Sequence, residues 1–170
     1  MDPPVFLSRH PAPPPGAAGD WQLPLTAEER SRCRGLRHTA CGVPVLLQLP
    51  RGEALEPGEW LGSDGAQPRW LQVTAAPEPL LRVRSGDALA LLQAAYHLGN
   101  RHVGLEIRVG ELRLLDDPVL AHLLEHRGLE VGRITAPFQP ERGAYGPSHG
   151  HSHGHSHGHH HDPSPVAGQG

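Results

Sequence analysis

Eight of the chain's 14 histidines stand at His149, His151, His153, His155, His157, His159, His160 and His161, at first alternating with glycine and serine. A neutral imidazole offers a nitrogen lone pair to borderline cations such as nickel, copper and zinc near neutral pH. Each nitrogen competes with a proton, and an ordinary histidine titrates near about 6.5, so the run predicts metal binding that weakens as the medium turns acidic. Gly150, Ser152, Gly154, Ser156 and Gly158 are too small to obstruct a ligand and act as flexible spacers that let several rings converge on one ion. A catalytic site needs a fixed ligand set, an open coordination position and supporting partners, and this alternation supplies none of them. The pattern fits capture and release of metal.

A second histidine motif points elsewhere. His122-Leu123-Leu124-Glu125-His126 has the His-x-x-Glu-His spacing of inverted zinc peptidases, in which two ligands one helical turn apart share a face and the glutamate serves as base. The intervening leucines explain the same segment as an ordinary amphipathic helix, and no third ligand is marked. His97 falls near a predicted helix end, where the helix dipole favours a partly charged ring. His10 and His38 lie in a proline arm and a basic stretch, where solvated roles suffice. Cys33 and Cys41 match no metal knuckle or redox pair and read as reduced small residues.

A net charge of −3 and a pI near 6.5 give no electrostatic case for nucleic acid. No apolar run has the length of a membrane span, and the first residues lack the basic and apolar regions of a signal peptide, so the sequence predicts a cytoplasmic protein. Residues 1–20, rich in proline, read as a disordered arm. Residues 21–76 read as a small β-rich domain. Thr26 and Glu29 form a capping box for a short helix, Val43, Val45, Leu47 and Leu49 alternate as a strand with Pro44 at an edge or bulge, and Leu71 and Val73 begin another after a turn-rich stretch.

Residues 77–146 read differently. Leu81 and Val83 suggest a strand; Ala88, Leu91, Leu92 and Ala95 follow helical spacing, with Gly99 placed to close the helix in a left-handed cap. Val103, Leu105, Ile107 and Val109 alternate as a strand, Gly110-Glu111 turns, and Leu112 and Leu114 make a second strand. Asp116 or Asp117 caps a further helix with Pro118 in its first turn and Gly128 at its end, and Leu129 and Val131 start a final strand. The predicted fold class is therefore α+β, a β-rich N-terminal domain followed by a ferredoxin-like βαββαβ domain. Residues 147–170 hold too few apolar side chains to offset the entropy of ordering and read as a disordered histidine-rich tail.

Tyr96-His97-Leu98-Gly99-Asn100-Arg101-His102, then Gly110-Glu111-Leu112-Arg113, Pro137-Phe138, Pro140-Glu141 and Gly143-Ala144-Tyr145 ahead of a histidine tail together resemble the UreE family of urease accessory metallochaperones. The resemblance extends more loosely through Leu25 to Arg30 and Leu49 to Gly52. It implies a non-enzymatic carrier, with an N-terminal domain likened to a chaperone peptide-binding domain and a ferredoxin-like metal-binding domain. It further implies a homodimer in which His102 from each protomer jointly binds nickel at the interface. The implied task is delivery of nickel to apo-urease through a complex with the accessory GTPase, with zinc or copper able to occupy the same ligands in vitro. Two imidazoles alone make a weak, fast-exchanging site, so its shell would be completed by water or by flexible ligands such as the tail histidines. Some members carry further histidines after Gly-Glu-Leu-Arg, whereas here the chain reads Leu114-Leu115-Asp116-Asp117-Pro118, which puts a second site on the folded domain in doubt. The other readings are a general nickel or zinc buffer without a client, and a zinc metallopeptidase using His122, Glu125 and His126.

Overall fold

The computed structural model describes residues 2–12, 21–65 and 67–142. Two sheets are built in succession. The first holds six strands, β1 (Val5–His10), β2 (Trp21–Leu25), β3 (Arg34–His38), β4 (Pro44–Gln48), β5 (Trp60–Ser63) and β6 (Trp70–Ala75), in the order β2-β6-β5-β1-β4-β3. Pairs β1–β4 and β2–β6 are parallel and the others antiparallel. Alternation sends Leu23 and Leu25, Val45 and Leu47, and Leu71 and Val73 into one core around Phe6, all at 0–1% exposure. Burying each such side chain stabilises the fold by about 1.5–3 kcal/mol. Between β2 and β3 runs the short helix α1 (Ala27–Arg30), held by the expected capping box: Glu29 N–H donates to Thr26 Oγ1 and Thr26 N–H to the Glu29 carboxylate.

Three sequence expectations change here. Residues 5–10 are a central strand and not part of a disordered arm, because Val5-Phe6-Leu7 carries enough apolar surface to order the chain and Phe6 is fully buried. The turn-rich stretch between Glu56 and Pro68 contains β5, whose Gly62 lets Trp70 and Ser8 approach: a Cβ there would lie 2.5 Å from Trp70 Cζ3 and 2.7 Å from Ser8 Oγ. Pro44 needs neither an edge nor a bulge. It opens β4 as its first residue, and β1 pairs only with Leu46 and Leu47 further along.

The second sheet follows from β7 (Pro77–Arg84), β8 (Glu106–Arg108), β9 (Glu111–Leu115) and β10 (Glu130–Pro137), with α2 (Ala88–Gly99) after β7 and α3 (Pro118–His126) after β9. The order along the chain is βαββαβ and across the sheet β10-β7-β9-β8, antiparallel throughout. Leu81, Val83, Leu112 and Leu114 face Ala94 and Leu98 of α2 and Ala121 and Leu124 of α3. Asp87 caps α2 by accepting from Leu89 N–H at 2.9 Å, and Asp117 caps α3 by accepting from Val119 and Leu120 N–H at 2.7 and 2.9 Å, with Pro118 first in the helix. On the opposite face of the sheet runs an ion-pair ladder, Arg84–Glu111–Arg113–Glu106–Arg108.

Polar contacts join the two sheets. Arg30, 5% exposed, donates to the carbonyls of Leu25 at 3.2 Å and Phe138 at 2.8 Å, and burial lowers its pKa from the ordinary arginine value. Glu78 accepts from Ala27 N–H at 2.8 Å, and Arg142 pairs with Glu53 and Glu56. Among the described residues no helix is long and apolar enough to cross a membrane.

Candidate metal centre

The helix α2 does not end at Gly99 in a left-handed cap as its sequence suggests. Gly99 stays inside the last helical turn, and the left-handed residue is His102, at φ 57°, the one non-glycine positive φ among the described residues. Two hydrogen bonds fix it there: His102 N–H to the Gly99 carbonyl at 2.9 Å and Val103 N–H to the Leu98 carbonyl at 3.1 Å. This is the bonding of a Schellman motif, with Val103 packed back against the core that contains Leu98. Histidine tolerates the left-handed region better than most residues, which is why the chain can spend this position on a side chain instead of a glycine. The ring is exposed at the mouth of the turn.

An unusual apolar surface leads up to it. Leu89, Leu92 and Tyr96 run along α2 at 60%, 68% and 68% exposure, and a groove of about 350 Å³ separates Leu91, Leu92 and Ala95 from Ile107. Sequence alternation placed Val103, Leu105, Ile107 and Val109 in one strand. The strand covers only Glu106–Arg108, Leu105 is buried, and Ile107 and Val109 are exposed at the outer edge of the sheet, where no helix covers them. His97, in the last turn of α2, stacks edge-on against Tyr96 with ring centroids 5.5 Å apart.

The loop after His102 also receives the end of the described chain. Phe138, 2% exposed, anchors the segment after β10; Pro140 lies against Gly104; and Glu141 N–H donates to the Leu105 carbonyl at 2.6 Å. The root of the C-terminal segment is thus fixed within a few residues of His102. His149 to His161 lie outside the described residues. This anchoring was invisible in the sequence, where Pro140-Glu141 carries only a resemblance and no periodicity.

Among the described residues of one protomer no group of three or more His, Cys, Asp or Glu is placed to hold a metal ion. Glu106 and Glu111, the nearest buried carboxylates in sequence, are committed to the ion-pair ladder. Burial works to raise the Glu111 carboxyl, but hydrogen bonds from Arg113 and Arg84 outweigh it and hold the group below the ordinary carboxylate range. Cys33 is buried and Cys41 exposed, and both are free thiols.

Residues 6–67 match the UreE urease accessory protein N-terminal domain and residues 78–162 its C-terminal domain. The chain is 61% identical over 126 residues to the urease accessory protein UreE of Parasynechococcus marenigrum strain WH8102, a span of 74% of this chain and 83% of that one. It is 52% identical over 140 residues to the urease accessory protein UreE of Synechococcus sp. strain CC9311, covering 82% and 89% of the two chains. With that of Nostoc sp. strain PCC 7120 it shares 46% over 145 residues, covering 85% and 98%. With both domains matched and identity sustained over most of its length, the chain belongs to the UreE family of urease accessory proteins, which serve urease maturation and are not enzymes.

Proposed function

We propose that this protein is a nickel carrier, a homodimer in which His102 of each protomer binds one Ni2+ at a shared site and the tail histidines gather the ion and supply further ligands. Its task is delivery to apo-urease, in complex with the accessory GTPase, in the cytoplasm. The observation that supports this reading is the Glu141–Leu105 hydrogen bond, which holds Glu141, eight residues ahead of His149, against the loop that follows His102. From Arg142 to His149 the chain spans seven residues, at most about 25 Å when extended, so the first tail histidine and those after it can reach the ring. Dimerisation is supported by the uncovered stripe of Leu89, Leu92 and Tyr96, which ends at the same turn. A two-fold axis there converts one histidine into two ligands. Residues 21–76 and 77–146 would then serve as partner-binding and metal-binding domains, between a proline-rich arm over 1–20 and the tail over 147–170.

The peptidase reading of His122, Glu125 and His126 is set aside with the family assignment. The test is nickel titration by calorimetry with light scattering, on the whole chain, on His102→Ala and on a chain shortened at Pro147. About one ion per shortened dimer, removed by His102→Ala, together with transfer from the whole chain to apo-urease, is the expected result. Loss of all binding with the tail would leave a buffer of nickel or zinc and overturn the carrier.

A further inference from the structure

The nickel-carrier reading leaves two histidines of α3 unused. Ala121 and Leu124 turn into the core, while His122 and His126 stand on the solvent side one helical turn apart. Their rings are 27° from parallel with centroids 6.4 Å apart, and among the described residues neither ring has a hydrogen-bond partner. A solvated helix face needs no such alignment of two free imidazoles.

We propose that His122 and His126 form a separate two-ligand chelate for a borderline divalent cation of the nickel, copper and zinc class, one per protomer. Helical geometry sets the two Cβ atoms about 5–6 Å apart. Bringing one nitrogen of each ring to about 2.0–2.1 Å from a common ion requires the rings to tilt together by ~1–2 Å. Both side chains are exposed and unbonded, so rotation costs little. His126 is the last residue of α3, and the carbonyl end of the helix carries partial negative charge that favours a cation there. Water would fill the remaining coordination positions, so the ion would exchange quickly. No hydrolysis is implied, since the segment lies on an open face without a substrate cleft.

The test uses the full-length chain with the eight tail histidines replaced by asparagine and His102 by alanine, so that neither part of the proposed carrier site contributes. Titration with NiCl2, and with CuCl2 as a tighter-binding probe, is expected to show one ion per protomer, with Cu2+ broadening the NMR signals of α3. His122→Ala and His126→Ala should each weaken binding at least tenfold, and His97→Ala should leave it unchanged. Absence of a bound ion, or an ion that survives either α3 substitution, would overturn the chelate while leaving the carrier reading untouched. Circular dichroism of the variants guards against unfolding, since both substitutions are on the surface.

Discussion

His102 occupies at the end of α2 the backbone position that Gly128 occupies at the end of α3. Both are left-handed, at φ 57° and 79°, and both motifs close with the same pair of hydrogen bonds: His102 to Gly99 and Val103 to Leu98, Gly128 to Glu125 and Leu129 to Leu124. One helix uses the residue that fits the turn without strain. The other puts there the histidine proposed above as a nickel ligand and accepts the cost, an arrangement that backbone strain at functional positions often marks.

His102→Gly should therefore raise the stability of the protomer, by about 1 kcal/mol, while abolishing any site that uses the ring. His102→Ala should lose the site with no comparable gain. Urea denaturation alongside nickel titration separates the two effects. Equal stability for the glycine and alanine variants would show that the turn stores no strain.

Leu92→Glu and Tyr96→Glu lie on the uncovered face of α2, at 68% exposure each. Each should shift sedimentation toward monomer without lowering protomer stability by more than about 0.5 kcal/mol. Nickel bound at His102 should be lost with the dimer, while a chelate on α3 should not.

Glu111→Gln should destabilise the fold at neutral pH. The folded carboxyl titrates below its unfolded value, about 4.3, so its contribution is complete above that value and disappears as pH falls through the lower, folded one. The difference between parent and variant should shrink over that acid interval, measured by denaturation at a series of pH values. A gap that persists below it would assign the loss to packing instead of charge.

Gly62→Ala should cost about 1–3 kcal/mol, because its Cβ would collide with the Trp70 ring and Ser8 Oγ between β1 and β5. Gly99→Ala is the contrasting case: nothing lies within 4 Å of a Cβ there, and the substitution should stabilise α2 by about 0.5–1 kcal/mol. Thermal melting of both variants checks the pair.

The βαββαβ order was legible because Asp117, Pro118 and Gly128 punctuate α3 as the rules of capping require, and because Leu81 with Val83, Leu112 with Leu114 and Leu129 with Val131 mark β7, β9 and the start of β10 at period two. What was hidden lies where local composition and tertiary context disagree. Proline on both sides of Val5-Phe6-Leu7 masked β1, whose order comes from partners near residues 46 and 61, far along the chain. Gly99 looked like the helix stop because glycine is the usual left-handed residue, yet the chain continues three residues to His102. Val103 to Val109 read as one strand because alternation cannot tell how far pairing extends, and β8 covers only Glu106–Arg108 while Ile107 and Val109 are exposed. His102 was singled out only by the motif that it ends; no spacing rule would have separated it from His97.

A tail fixed at Glu141 also changes what its histidines are worth. Ligands on a short flexible tether act as though present at about millimolar concentration, whatever the amount of protein in solution. Weak imidazole contacts then combine by avidity. In the proposed carrier, an ion leaving His102 would be recaptured by a neighbouring ring before it diffused away, so release would depend on a client able to outcompete a local crowd of donors.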